Sequence, residues 1–228
     1  MWRAVHFARA LLLPSDWDRK PEEGAIAAQC KIVKSFFVSD ASKTVGLERL
    51  FRLVFALLAF VWPALYIREI GGWAGYPIRK IAIDLYVVFK LTLPLVFLAT
   101  DTDQTWLGVG VTILLLAETV SYLVGVFLFT DVYPPPYSKR RSYFLVLVNY
   151  FEITFDFAVL YRGVGEISKI TTAMDAVYFS TVTSTTLGYG DIAPEQQIGR
   201  FLVVVHVSTI AVLVVAVIGA MASTLRQD

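Results

Sequence analysis

Hydrophobic residues gather along the chain into five long blocks, near 47–67, 81–100, 107–130, 142–161 and about 200–224. Each is long enough to cross a hydrocarbon core of about 30 Å as a helix, which takes roughly 20 residues. The connectors read as turns or interfaces. Gly71-Gly72-Trp73-Ala74-Gly75-Tyr76-Pro77 follows the first block, Asp101 to Thr105 the second, and Tyr133-Pro134-Pro135-Pro136-Tyr137 precedes Lys139-Arg140-Arg141. Residues 1–46 are polar to amphipathic, and Trp2 to Leu13 predicts a short helix lying at a membrane surface. The pattern predicts an all-α integral membrane protein.

One segment between the fourth and fifth blocks does not fit a span. Ala173 to Ser184 is amphipathic and too short to cross, and Thr172 with Asp175 has the spacing of a capping box, so a helix is predicted to begin there. It runs into Thr185-Thr186-Leu187-Gly188-Tyr189-Gly190-Asp191, then Pro194, then the last block. Span, half-helix, extended loop and span make a re-entrant hairpin. Non-helical backbone at membrane depth is tolerated where it lines a cavity or is buried in protein, and a pore meets that condition.

Composition agrees with a lipid setting. The chain is 57% hydrophobic and only 17% charged, against roughly a quarter charged for a soluble domain. The net charge of +1 changes nothing, because the distribution of Lys and Arg across loops is what orients a membrane protein. Cys30 is the single cysteine, which excludes an intrachain disulfide and a multi-cysteine metal site; His6 and His206 lie far apart. Leu11 to Leu13 is too short an apolar core for a secretory signal. No nucleophile–base constellation, metal motif or cofactor fingerprint is visible, so an enzyme is set aside. No cofactor and no nucleic-acid partner is expected.

The loop after the half-helix has its own chemistry. A dehydrated potassium ion must regain the oxygens it lost from water. Backbone carbonyls supply them when successive C=O groups face one axis, which requires alternate residues at φ > 0. Glycine accepts that conformation at little cost, and Gly188 and Gly190 stand at such positions on either side of Tyr189. Thr186 can add its hydroxyl below the lowest carbonyl ring.

Residues 142–224 resemble the pore domain of the tetrameric potassium-channel superfamily. Ala176-Val177-Tyr178-Phe179-Ser180, then Thr185 to Asp191, Pro194 and Gly199-Arg200 look like its pore helix, filter and entry to the inner helix. The loop is close to the potassium filter that has valine where Leu187 stands. The resemblance implies an outer helix, a re-entrant pore helix with filter 185–191, and an inner helix, here preceded by about three further hydrophobic helices in 47–130. It implies K+ coordinated by the carbonyls of Thr186, Leu187, Gly188 and Tyr189, with Thr185, Gly190, Asp191, Val182 and Phe179 supporting the filter. Tyr189 would point away from the axis among aromatic side chains, and Asp191 would bond to its own or a neighbouring pore helix. Val182 stands where some bacterial members carry a glutamate. By the same carry-over Ala211, Val214, Ile218 and Ala222 line the inner pore. The usual hinge glycine falls at Ile210, leaving Gly219 as the candidate hinge. One filter per chain implies a homotetramer, in the plasma membrane and surrounded by lipid, with K+ as permeant ion.

Placing the filter near the outer face puts Lys139-Arg140-Arg141 and Arg226 inside and the Asp101–Thr105 loop outside, in accord with the positive-inside rule. The same count puts residues 1–46 outside, although they carry seven Lys and Arg. A kink or turn at Pro63, or insertion of Ile26 to Val38, would return them to the cytoplasm, the side their charge favours. No block carries the repeated basic residues of a voltage sensor; Arg49 and Arg52 are only two. After Leu225 three residues follow, so regulation is expected from the N-terminal segment, the extra helices, the filter or a separate partner. Lys90 and Glu118 lie 13 and 15 residues from Asp103 on neighbouring blocks, and Glu152 is mid-way along the fourth. Charges at that depth cost roughly 2.5–3.5 kcal/mol or more each, so a Lys90–Glu118 pair, joined by Glu152 or Asn149, is predicted. His206 is expected to pack against the pore helix. Two other functions fit part of the pattern: a weakly selective cation channel, and a potassium-transporter subunit. The latter class carries four hairpins per chain and usually a single filter glycine.

Overall fold

The computed structural model describes residues 23–37, 46–129 and 139–225, and among them every regular element is helical. The stretch Trp2 to Leu13, the proline-rich turn at 133–137 and Arg226 lie outside the described residues. In chain order the helices are α1 (Ala25–Ser35), α2 (Leu47–Leu58), α3 (Pro63–Trp73), α4 (Tyr76–Ala99), α5 (Trp106–Leu128), α6 (Lys139–Gly163), α7 (Ala173–Ser184) and α8 (Gln197–Leu225). A single 3-10 turn, Thr102–Gln104, links α4 to α5. Two compact units divide within α4, Met1–Val88 and Phe89–Asp228.

Four helices contain stretches long and apolar enough to cross a membrane: Ile78–Ala99, Trp106–Val126, Phe144–Gly163 and Gln197–Val215. The first hydrophobic block does not form the one helix expected over 47–67. It breaks after Leu58 and restarts at Pro63, with α2 and α3 bent by 59°. Pro63 has no N–H to continue a helix but suits its first position, and it forces Trp62 before it into extended backbone (φ −85°, ψ 134°). Of the segment Ile26 to Val38, the described part is a helix shorter than the roughly 20 residues of a span, and Val38 lies outside the described residues. The helix there is 11 residues, about 16 Å long at 1.5 Å per residue. In this first unit α1 packs on α2 and α3. Gln29 donates to the Ala56 carbonyl (2.8 Å) and the Ile26 amide donates to Glu69 (3.0 Å).

In the second unit α6 lies against α5, α7 and α8, and α5 also packs on α8. The pattern of apolar residues explains the arrangement. Val109, Leu116 and Leu123 recur every seven residues along α5, and Ile153, Phe157, Leu160 and Tyr161 form one stripe of α6. Phe179 from α7 and Leu202, Ile210 and Leu213 from α8 complete the core. Burying one such side chain contributes about 1.5–3 kcal/mol, so this stripe is what holds the short α7 between two long helices.

The start of α7 is closed by the capping box its sequence predicts. Asp175 N–H donates to Thr172 Oγ1 (3.1 Å), while Thr172 N–H donates to Asp175 Oδ2 (2.8 Å). The amide and hydroxyl of Thr171 reach the same oxygen. These donors, led by the Thr172 amide, hold the Asp175 carboxyl below its ordinary pKa. At the far end of α6, Arg162 donates to Asp103 (2.9 Å) and Asp101 (2.7 Å) in the α4–α5 connection. Asp103 is fully buried; burial raises its pKa and the guanidinium partly opposes that. The loop can come this close because residue 163 is glycine. A Cβ there would sit 2.3 Å from the Asp103 carbonyl oxygen, an unyielding backbone atom.

Gly163→Ala should therefore displace the α4–α5 connection and lower the melting temperature of the purified protein. Gly110→Ala, where a Cβ meets nothing within 4 Å, should leave it unchanged or slightly higher. Equal melting temperatures for the two variants would show that the close approach is not structurally required.

Candidate functional site

The chain leaves α7 without leaving its carbonyls bare. The amides of Thr185, Thr186 and Leu187 donate to the carbonyls of Thr181, Thr183 and Val182 at 3.0, 3.0 and 3.1 Å. The Thr185 hydroxyl donates to the Thr181 carbonyl as well (2.8 Å). These bonds satisfy acceptors that the last turn of a helix otherwise exposes. From here the backbone alternates. Thr186, Gly188 and Gly190 have φ of 58°, 56° and 78°, whereas Leu187 and Tyr189 between them do not have positive φ. Alternation of that kind turns every second peptide unit over, which lets successive carbonyls share a direction. Thr186 is the unexpected member: a β-branched residue in left-handed backbone is uncommon and costs roughly 1–2 kcal/mol.

Behind this loop, Tyr178 Oη donates to Asp191 Oδ2 (2.6 Å), so Asp191 bonds to α7 of its own chain. The Tyr178 hydroxyl, ahead of any other contribution, holds the Asp191 carboxyl below its ordinary range, and the same bond raises the Tyr178 phenol. Lys169 donates to the Asp191 carbonyl. Val182 and Phe179 are buried, the Phe179 ring edge-on to Tyr161 (4.8 Å, 70°). Residues 185–190 are all exposed in the protomer, Leu187 at 61% and Tyr189 at 68%. Among the described residues Tyr189 therefore has no aromatic cage, and none of them lies within 4 Å of a Cβ built at Gly188 or Gly190.

Residues 143–227, spanning most of α6, α7, its loop and α8, match the family described as Ion channel, the two-helix domain of the potassium-channel superfamily. This stretch is similar to an ion channel domain. No curated protein and no solved structure matches the chain. On α8, Ala211 and Val214 are exposed in the protomer, whereas Ile210, where the usual hinge glycine would fall, is buried. Ile218, Gly219 and Ala222 continue α8, but their side-chain surroundings lie outside the described residues.

The intramembrane charges of α4, α5 and α6 meet at one place. Lys90 Nζ is 3.0 Å from Glu152 and 3.6 Å from Glu118, and all three are buried. Two members escaped the sequence reading. Thr119 accepts from Lys90 and donates to Glu152 (2.6 Å), linking the ammonium to the carboxylate. Asp156, one helical turn beyond Glu152, is 0% exposed, and neither of its oxygens has a hydrogen-bond partner. Its spacing from Glu152 was the available signal, since residues i and i+4 share a helix face. Asn149 is buried on the same helix. Pro94 follows Lys90 by four residues inside α4 and has no N–H to offer the Lys90 carbonyl, so the helix loses a bond beside the cluster.

A third group of polar residues was not anticipated beyond His206 itself. Tyr161, His206, Ser184 and Thr154 form a buried chain of hydrogen bonds across α6, α7 and α8. The three residues that join His206 come from positions 22 to 52 residues away along the chain, so no local pattern announces them.

Lys90→Met should cost about 3–5 kcal/mol of stability, because it strands buried carboxylates. Glu118→Gln should cost less than Glu152→Gln, since Lys90 lies closer to Glu152. Thermal unfolding in detergent checks both, and equal losses from the two Gln variants would remove the stated preference. Tyr178→Phe should return the Asp191 pKa upward toward that of an ordinary aspartate. Asp191's contribution is present above its unfolded pKa and lost as pH falls through its lower folded pKa. The variant should therefore lose stability on acidification earlier than the parent; coincident acid profiles would count against the contact.

Proposed function

We propose that this chain is one subunit of a homotetrameric, potassium-selective channel of the plasma membrane, conducting K+ passively through filter 185–191. The observation that carries the reading is the alternation of left-handed backbone at Thr186, Gly188 and Gly190 in a loop mounted on a non-spanning helix. The ion is held by the carbonyls of Thr186, Leu187, Gly188 and Tyr189, which replace its hydration shell. Thr185, Gly190, Asp191, Val182 and Phe179 hold that backbone in place. K+ is the permeant ligand, and no cofactor takes part.

Fourfold assembly is favoured by what one protomer leaves uncovered. Leu187 and Tyr189 are large, mostly exposed side chains in the middle of the loop, and a single carbonyl ladder surrounds an ion only when repeated around an axis. Ala211 and Val214, with Ile218 and Ala222, then line an apolar inner cavity of the kind that closes by dewetting, and Gly219 offers a bend near the inner end. Gating does not use a voltage sensor. The bent pair α2–α3, the buried cluster of Lys90, Glu118 and Glu152, or a separate partner supplies the control.

Purified protein in liposomes should carry K+ in preference to Na+, be blocked by Ba2+, and lose flux on Gly188→Ala. Native mass spectrometry should find four copies of the 25.5 kDa chain. A reversal potential insensitive to exchanging K+ for Na+ would replace potassium selectivity by general cation conduction. A stable monomer would overturn the assembly.

A further inference from the structure

The buried chain around His206 has one self-consistent arrangement of protons. Thr154 Oγ1 donates to the Tyr150 carbonyl (2.8 Å), which can only accept, so its single proton is committed. The Ser184–Thr154 contact (2.9 Å) must then use the proton of Ser184. Ser184 Oγ in turn accepts from His206 Nε2–H (2.8 Å). The remaining ring nitrogen, Nδ1, is bare and accepts from Tyr161 Oη–H (3.0 Å). Every donor is used once, and the polarity runs from Tyr161 through the imidazole to the pore helix.

The imidazole is locked in that pose. Its ring stacks on Phe157 at 4.0 Å with an angle of 7°, and both residues are fully buried. Tyr161 is itself held edge-on by Phe179 of α7. Ser184 is the last residue of α7, immediately before Thr185. One turn earlier on the same face, Ser180 donates to the Thr154 carbonyl (2.5 Å). The end of the pore helix is thus tied to α6 by two serines and to α8 by one histidine.

We infer that His206 is a positioning residue for the filter: through Nε2–H it holds Ser184, and with it the backbone entering Thr185 and Thr186, in register with the inner helix. The inference rests on the channel reading for its functional consequence. It couples α8 to the filter, so a movement of the inner helix at His206 is passed through the Ser184 hydrogen bond to the backbone two residues before Thr186. His206 touches no ion, and its effect is indirect.

His206→Phe keeps the stacking on Phe157 and removes both ring hydrogen bonds. It should assemble normally, yet raise the Na+/K+ permeability ratio roughly two- to tenfold, the equivalent of one modest hydrogen bond. His206→Gln retains a donor and an acceptor and should restore much of the parent ratio. Ser184→Ala should reproduce the Phe phenotype, and the double variant should be no worse than either single one. Solid-state NMR of the same liposomes reads the position directly. In the parent, imidazole 15N shifts should report Nε2–H with bare Nδ1, and His206→Phe should move the amide resonances of Thr185 to Leu187. Unmoved filter amides in a correctly assembled variant would overturn the inference. If the parent conducts no K+ while those amides still respond to His206→Phe, the positioning role stands and the potassium reading fails.

Discussion

A backbone that leaves helical geometry between two membrane-spanning helices must find partners for every amide and carbonyl, because lipid offers none. That constraint organises the second unit. The N-terminus of α7 is closed by reciprocal bonds between Thr172 and Asp175, and its C-terminus by amides of the loop that follows. Those bonds close much of each helix end from within the chain, and the carbonyls from Thr186 onward are left to be satisfied from elsewhere. Alternating φ gathers that residue of unsatisfied polarity into one direction instead of scattering it. An ion pathway is a means of completing the hydrogen-bonding and electrostatic requirements of this stretch.

Two kinds of polar structure surround it, and they differ in what they contribute. Arg162 with Asp101 is an ion pair with one exposed member, a class worth no more than about 1 kcal/mol. Its partner Asp103 is fully buried, and there the bond fixes the height of the α4–α5 connection against α6. Lys90, Glu118 and Glu152 are more demanding, since charges in that setting are costly to unpair and seldom profitable to keep. Thr119 lowers the demand by giving the ammonium and Glu152 a shared neutral neighbour. The relay of His206 needs no formal charge at all. It binds three helices with hydroxyls and one imidazole, each group donating once.

Much of this was readable in the sequence wherever the information is local. The spans follow from run length, the capping box from a spacing of three, and the positive φ of Gly188 and Gly190 from the conformations that glycine permits. The break at Pro63 was visible as a possibility, but whether a proline kinks a span or ends it depends on packing in the first unit. Thr186 escaped because a β-branched residue gives no advance sign of left-handed backbone. Asp156 lay in plain view one turn from Glu152, but its isolation is a property of what the neighbouring helices do not provide. The links among Tyr161, Ser184 and His206 depend on the rotation and height of three separate helices, quantities that hydrophobic periodicity leaves free by several residues.

The order of these contacts along the chain has a consequence for biosynthesis. Thr154 and Tyr161 are made first, then Ser180 and Ser184, and His206 last. When α7 emerges, both serines already have their α6 partner, so the pore helix can be tethered before the inner helix exists. The ring that joins it to α8 is added 22 residues after Ser184. A nascent chain can therefore hold α7 to α6 through Ser180 and Ser184 before α8 exists, and the Ser184–His206 bond then joins the hairpin to the last helix.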